Sequence, residues 1–300
     1  LTERIFVVVN PAAGKGRGAR VQEPLLAALR RSSAEVDHAA TSRPGEEAEL
    51  TRRALAQGYR TIVALGGDGT WSHVGGAIVD SGANAALGLV AGGTGCDFAK
   101  TLGVPAQDVA AAAQVALGGH TRTVDVGRIE GKVFLNVAGF GFDIAVIEHA
   151  MTVRWLKGDL LYLYCALRQL HSFPGFGVEV AADGTNGAPR QHLMLVIANA
   201  QVFGGAFRIA PQADVADGRL DAVAFLNMGL GRRLRLMGKL MKGRHQSEPE
   251  VETSRARRYR LVFAEPPAYE TDGEWNKARS AELLVESVPA ALRVLTPAPR

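Results

Sequence analysis

Residues 61–70 read Thr61-Ile62-Val63-Ala64-Leu65-Gly66-Gly67-Asp68-Gly69-Thr70. The first five are apolar or β-branched, the pattern of a strand buried on both faces. The glycines that follow leave the backbone bare, so its amides can close on a bulky anion. A helical pattern opens at Trp71, and the partial positive charge of a helix N-terminus falls on the same spot. Asp68 cannot itself hold phosphate. It makes sense beside one when a divalent cation accompanies it, because Mg²⁺ prefers carboxylate, water and phosphate oxygens. The loop therefore suits a nucleoside triphosphate with its metal. The plain alternative is a strand–helix turn, to which an Asp between glycines adds nothing.

Outward from this loop, strand and helix alternate. Ile5–Val9 reads as a strand, followed by a glycine-rich turn from Asn10 to Gly18 and a helix marked by Val21, Leu25 and Leu29. Glu35–Ala40 is a second strand with Thr41 at its end, and Pro44 opens a helix that Gly58 closes. Ala86–Ala91 is another strand, ending in Gly92-Gly93-Thr94-Gly95, and Val109–Leu117 is a helix stopped by Gly118 and Gly119. This order predicts an α/β fold with a parallel sheet and ligands at the carboxyl ends of its strands. The loops at 10–18, 41–45, 66–70 and 92–95 all fall there. Gly14-x-Gly16-x-x-Ala19, with Asp37 near the ribose-binding position, also fits the relaxed dinucleotide fingerprint. That match leaves Asn10-Pro11 and the Gly66 loop unexplained, and no Gly-Lys-Ser/Thr follows to make a P-loop.

Near residue 121 the rhythm changes. Val124–Ile129, Glu130-Gly131 and Lys132–Ala138 read as a hairpin, and 143–172 as largely helical. Strands then dominate: Gly177–Ala182, His192–Ala198, Arg219–Leu226, Arg258–Ala264 and Ala281–Val285. The second half thus reads as a β-sandwich with inserted helices. The expected division is an α/β domain at 1–122 and a sandwich at 123–288. Ala291–Leu295, within 289–300, fits either.

The chain has 300 residues and a formal net charge of +4, too mild to argue for nucleic acid but favourable to an anionic ligand or surface. Cys96 and Cys165 are far apart and lack metal-ligand spacing, which points to a reducing compartment. The apolar run at 5–9 is too short for a signal peptide, and Leu160–Leu167 falls far below the roughly 20 residues of a membrane span. The expected location is the cytosol, or the membrane surface at most. Nothing in the sequence sets an oligomeric state.

Taken in order, Asn10-Pro11-x-x-Gly14, Thr41 with Gly45, Gly66–Thr70 and Gly93-Thr94-Gly95-x-Asp97-Phe98-Ala99 resemble the catalytic domain of the diacylglycerol kinase family. The resemblance continues through Pro211-x-Ala213 and Asp217-Gly218-x-Leu220-Asp221 to Asp272-Gly273-Glu274, nearly the whole chain. It implies an active site in the cleft between the two domains and transfer of the ATP γ-phosphoryl group to a lipid hydroxyl. Asn10, Pro11, Ala12, Ala13, Gly14, Thr41, Gly66, Gly67, Asp68, Gly69, Thr70 and Thr94 would surround ATP, with Asp68 holding Mg²⁺. Asp272 or Glu274 would accept the hydroxyl proton, as a carboxylate within reach of a high-pKa hydroxyl can do. A second, structural Mg²⁺ would sit at the Asp217 side chain with backbone carbonyls near Asp214 and Arg219.

Three positions depart from the family pattern. Cys96 stands where Asn is usual, and Ser72 and His73 where Asn and Glu are usual, so the helix-start and adenine contacts should differ. Two other readings compete: another kinase of the NAD kinase and phosphofructokinase superfamily, and a non-catalytic nucleotide- or lipid-binding homologue. The lipid is open, with diacylglycerol, phosphatidylglycerol and long-chain amino alcohols all compatible. Finally, Leu230, Leu234, Met237 and Met241 form one stripe of a helix at 230–244 crowded with Arg232, Arg233, Arg235, Lys239, Lys242 and Arg244. Such a helix suits either an anionic membrane surface or a core-packed position with a solvated basic face.

Overall fold

Strands that are apolar on both faces need helices on both faces, and residues 4–118 supply them. The computed structural model describes residues 4–93, 95–153, 155–156, 159–185, 187–205 and 207–298. The chain begins β1 (Arg4–Val9), α1 (Ala13–Arg30), β2 (Glu35–Ala40), α2 (Glu47–Ala56), β3 (Thr61–Gly66), α3 (Asp68–Ser81), β4 (Ala86–Ala91), α4 (Asp97–Leu102) and α5 (Val109–Gly118). Strands run parallel in the order β2–β1–β3–β4. β3 and β4 are buried throughout, whereas β2 at the edge carries exposed Glu35, Asp37 and His38. Leu25, Leu29, Ala112 and Ala116 cover one face, and Leu50, Leu55, Val74 and Ile78 the other.

The helices that follow β3 and β4 differ from expectation. α3 begins at Asp68 rather than Trp71, because Gly67 is extended and serves as its N-cap. Trp71 is a core residue, fully buried, with its indole Nε1 donating to the Ala64 carbonyl at 3.1 Å. α4 had no apolar period to announce it. It is six residues long and follows Cys96, which is held at φ 53°.

The second half runs β5 (Thr121–Ile129), β6 (Lys132–Phe134), β7 (Val137–Gly141), α6 (Phe142–Thr152), α7 (Asp159–Ser172), β8 (Phe176–Ala182), β9 (Pro189–Ala198), β10 (Leu220–Leu226), α8 (Leu230–Leu240), β11 (Val251–Ala256), β12 (Arg258–Phe263), β13 (Ala268–Thr271), β14 (Glu274–Lys277) and β15 (Glu282–Leu295). β5 and β6 form the expected hairpin, but its second arm stops at Phe134. The backbone turns at Leu135 and Asn136, and β7 pairs with β9 and β13 instead. Phe134, Phe140, Leu195, Ile197, Tyr259 and Tyr269 fill the core on one side, and Val196, Val223, Phe225, Leu236 and Leu240 on the other.

β15 is far longer than the Ala281–Val285 segment expected. Its first half pairs antiparallel with β12. Its far end lies parallel to β4, with Arg293 opposite Ala86 and Val294 opposite Leu87. β5 runs antiparallel along both parts. The register shifts between Val288 and Leu292, where Ala290 has φ 50°. The buried Asp125 carboxylate fixes this irregularity by accepting from the amides of Ala290 at 2.7 Å and Gly218 at 2.6 Å.

Helix α8 rotates away from the expected stripe. Leu236, Leu240 and Arg233 face inward, while Leu230, Leu234 and Met241 are exposed. Arg233 does not belong to a solvated basic face. Its guanidinium donates to the carbonyls of Met228 and Leu170 and to Asn227 Oδ1, each at 2.8 Å.

Leu292 is 1% exposed and packs in the core shared with β4 and α3, whereas Leu284 on the same strand is 50% exposed. Leu292→Ala should destabilise by about 2–5 kcal/mol, and Leu284→Ala by no more than about 0.5 kcal/mol. Urea midpoints of the two variants test this.

Candidate active site

β3 and β4 run into glycines at Gly66 and Gly92, where the loops pack backbone against backbone. Gly14, at φ 58°, lies where a Cβ would fall 1.9 Å from the Gly92 carbonyl oxygen. The first loop therefore spends that glycine on closure against the fourth. A cavity of about 450 Å³ opens above, lined by Asn10, Pro11, Ala12, Ala13, Gly14, Thr41, Gly67, Gly69, Thr70, His73, Gly93 and Glu274, with Ser42–Gly45 and Glu47. Asn10 braces it, donating through Nδ2 to Thr70 Oγ1 at 3.0 Å and Glu47 Oε1 at 3.1 Å. Gly66 is buried beneath, its carbonyl accepting from Gly92 at 2.7 Å. Thr94 lies outside the described residues.

Asp68 points away from this cavity into a second, of about 590 Å³, which it lines with Gly95, Asp97, Asn136, Phe203, Gly204, Gly205, Asp272 and Gly273. Asp68 Oδ1 accepts from the amides of Asp97 at 2.9 Å and Phe98 at 3.2 Å and from Asn136 Nδ2 at 3.3 Å. Burial and then the neighbouring Asp97 carboxylate hold the Asp68 pKa above the ordinary range. Asp97 ties the far wall in place, with Oδ2 accepting from the Gly205 amide at 2.8 Å and Oδ1 facing Lys100 at 3.1 Å. Asn136 Oδ1 is buried without a partner. A half-buried carboxylate, an orphaned amide oxygen and excess negative charge fit a hard divalent cation such as Mg²⁺.

Asp272 and Gly273 form the two-residue turn between β13 and β14, both with positive φ as a tight hairpin requires. The two carboxylates of Asp272-Gly273-Glu274 then part. Asp272 is buried, and its Oδ1 accepts from the amides of Asn136 at 2.8 Å and Val137 at 3.0 Å. Its Oδ2 accepts from the Leu135 amide at 2.7 Å and from the Ser72 hydroxyl. Burial pushes its pKa up to about 6, against the opposing pull of Ser72 and the three amides. Glu274 instead faces the first cavity and pairs with His73 Nε2 at 2.9 Å.

A third cavity, of about 450 Å³, adjoins the second along Phe203, Gly204 and Gly273. Its walls are mainly apolar, with Phe142, Val146, Ile147, Ala166, Met194, Phe207, Met237 and Leu240. Asp143 and Glu270 also line it. The candidate residues at Asp214, Asp217 and Arg219 lie apart from these cavities. Asp214 pairs with Arg122 at 3.0 Å; Asp217 pairs with Arg255 at 3.4 Å and accepts from the Arg219 amide at 3.0 Å. A cation at Asp217 would compete with Arg255. No cluster of three or more His, Cys, Asp or Glu side chains is set to hold a metal among the described residues.

Sequence reading passed over Asp97, Asn136, Asp143 and Glu270 as site residues. Asp97 stood within a family motif without a site role; the other three showed only as polar residues in or beside apolar runs.

His73, a third exposed, also contacts Glu47 at 3.4 Å. Glu274 first and Glu47 second push its pKa up to about 10, against burial. Burial pushes the Glu47 carboxyl up, but hydrogen bonds from His73 and Asn10 outweigh it and leave the pKa lowered. A raised imidazole pKa stabilises the fold fully below pH 6.5, and that contribution is lost as pH rises through about 10. The wild-type melting temperature should therefore fall across that window more steeply than that of His73→Gln. Parallel melting curves against pH would contradict the ion pair.

Comparison with known proteins places these features in a family. Residues 4–129 match the diacylglycerol kinase catalytic domain, and residues 136–296 match the YegS C-terminal NAD kinase beta sandwich-like domain. A diacylglycerol kinase of Mycobacterium tuberculosis is 31% identical over 301 residues, covering 98% of this chain and 95% of the relative. One of Bacillus subtilis is 26% identical over 274 residues, covering 91% and 90%. The crystal structure of a diacylglycerol kinase from Bacillus anthracis superposes with a TM-score of 0.74 at 21% identity, covering 99% of this chain and 97% of that one. That likeness bears on the fold.

Proposed function

We propose a division of labour among the three cavities from one premise: the chain belongs to the diacylglycerol kinase family and is an ATP-dependent lipid kinase. ATP occupies the first cavity, its phosphates over the backbone of Gly67 and Gly69 at the N-terminus of α3. The acceptor is a diacylglycerol-like lipid with its chains in the apolar third cavity and its hydroxyl in the second. The observation that carries this reading is that Asp68 and Asp272 line one chamber, which adjoins the apolar cavity through Gly273.

Asp68 would hold Mg²⁺, which when bound neutralises phosphate charge. Asp272 is the general base. As the acceptor oxygen bonds to the γ-phosphorus, the bond to the bridging oxygen of ADP breaks and the hydroxyl proton passes to Asp272. With a pKa of about 6 this carboxylate is mostly ionised at neutral pH and close to the ideal for proton acceptance. Its four donors leave little room for a fifth. Three are backbone amides; Ser72 alone has a hydroxyl that can rotate away and yield its place to the substrate. Glu274, paired with His73 beside the phosphates, orients the nucleotide side.

Membrane contact completes the reading. Among the described residues no helix is long and apolar enough to cross a membrane. Met151, Trp155, Leu160, Leu163 and Leu167 are exposed at α6 and α7, and Leu230, Leu234 and Met241 at α8. Arg233 joins the two helix layers through the Leu170 carbonyl. This apolar rim beside the acceptor cavity would rest in the headgroup region. The basic residues of α8 contribute less than their number suggests, because Arg232 pairs with Glu250, and Arg235 and Lys239 with Glu248.

Asp272→Asn should lower kcat by about 10²–10⁴ with nucleotide affinity retained, whereas Glu274→Gln should act mainly on the KM for ATP. Equal effects of both on kcat would remove the distinction. Ser72 lowers the Asp272 pKa, so Ser72→Ala should move the acidic limb of the kcat–pH profile upward; an unmoved limb counts against Asp272 as base. Vesicle binding should fall when Trp155 and Leu163 become Ser, more than when Arg232 and Lys239 become Gln. The reverse order would put the contact on the basic face. A cation at Asp217 predicts an EDTA-induced drop in melting temperature that Asp217→Ala abolishes.

A further inference from the structure

Asp143 stands at the start of α6, and Glu270 on β13 lies opposite Gly139 of β7. Because Gly139 has no side chain, the two carboxyl groups converge above it. A Cβ there would fall 2.0 Å from Asp143 Oδ2 and 2.8 Å from Glu270 Oε1. Asp143 is 8% exposed, and neither of its carboxyl oxygens has a partner in good hydrogen-bond geometry; the amides of Ile144 and of Asp143 itself reach them only weakly. Glu270 is fully buried; its Oε1 has no partner, and its Oε2 accepts from the Gly273 amide at 2.5 Å. Buried oxygens so poorly satisfied in the wall of an apolar cavity cost stability, and such groups mark sites where a ligand supplies what is missing.

We propose that Asp143 and Glu270 bind the polar part of the acceptor lipid, and that they select an uncharged acceptor over an anionic one. This rests on the lipid-kinase reading above and names the substrate class for the same site.

Electrostatics supports the geometry. Burial pushes the Asp143 carboxyl up to about 7, with the amides of Ile144 and Asp143 opposing it only in part. Burial, followed by the charge of Asp143, holds Glu270 well above the ordinary range. Asp272 and Asp97 also bear on Glu270, and both are acidic. Two carboxyls this close in an apolar site keep a proton between them at neutral pH. The pair then offers one O–H donor, several acceptor lone pairs and about one negative charge. The donor suits an ester carbonyl, and the lone pairs suit a hydroxyl. A phosphate-bearing headgroup would set like charges together in a medium of low dielectric. The Gly273 amide couples the pair to the turn that carries Asp272, so headgroup binding and base placement share one support.

The test uses the full chain with a short-chain diacylglycerol or phosphatidylglycerol in mixed micelles. Wild type should favour diacylglycerol in kcat/KM. Asp143→Asn and Glu270→Gln should each raise the KM for diacylglycerol by roughly tenfold or more with a smaller effect on kcat, and should narrow the preference. Equal use of both lipids by wild type, or unchanged KM and preference in both variants, overturns the proposal. A second readout needs neither variants nor turnover. The infrared C=O band of a protonated carboxyl should be present in wild type and shift when diacylglycerol is added. A band that stays fixed on lipid saturation overturns the proposal as well. Absence of ATP-dependent phosphorylation of any hydroxyl lipid by wild type would instead defeat the lipid-kinase reading, which separates the two failures.

Discussion

One buried carboxylate organises the centre of this molecule. Asp272 takes the amides of Leu135, Asn136 and Val137 in succession. Those amides converge only because the chain breaks between β6 and β7, so the local interruption of a hairpin and the position of this carboxylate are one event. The same break aims the Asn136 side chain at Asp68. Remove the carboxylate and three consecutive amides lose their acceptor in a buried place, at about 1–3 kcal/mol for each. Chemistry and packing are therefore entangled at Asp272, and an amide replacement is a cleaner probe than alanine.

Charge around the chambers is one-sided. Asp68, Asp97, Asp143, Glu270 and Asp272 line or border the second and third cavities, and burial raises the pKa of Asp68, Asp143, Glu270 and Asp272. In the first cavity the cation tied to its carboxylates is His73, held between Glu274 and Glu47 where the family usually has Glu, while Arg43 on the rim pairs with Glu49. The exchange of an acid for an imidazole alters the field over the Gly67–Gly69 backbone without altering that backbone. Pairing with two carboxylates keeps the imidazole charged well above its usual range, so it acts as a fixed charge at neutral pH rather than as a pH switch.

Much of the α/β half was legible because its signals are local. Thr61–Leu65 is apolar at every inward position, and a glycine that must clear Gly92 is visible as a glycine. Asp272-Gly273 announces a tight turn for the same reason. The start of α3 was misplaced because Gly67 and Asp68 look like loop until the cap is seen. The long course of β15 was hidden by Pro289 and Ala290, which read as an end but are a register shift held by Asp125, a residue far away in sequence. Asp143 and Glu270 were out of reach on similar grounds: each is an ordinary acid until the topology sets both above Gly139. The face of α8 was misread because Arg233 is buried by carbonyls from three other positions, which no periodicity encodes.

The path of β15 bears on how such a protein could be divided or recombined. β4 ends its parallel sheet on a strand supplied by the last residues described, after the whole sandwich has been traversed. A fragment stopped near residue 130 would leave β4 with a bare row of amides and carbonyls, a template for pairing with other chains. The α/β half is thus a recognisable stretch of sequence whose sheet is completed from outside it. A graft or split expression scheme has to carry Arg293–Leu295 with it. During synthesis the parallel sheet stays open at that edge until nearly the end of the described chain has emerged.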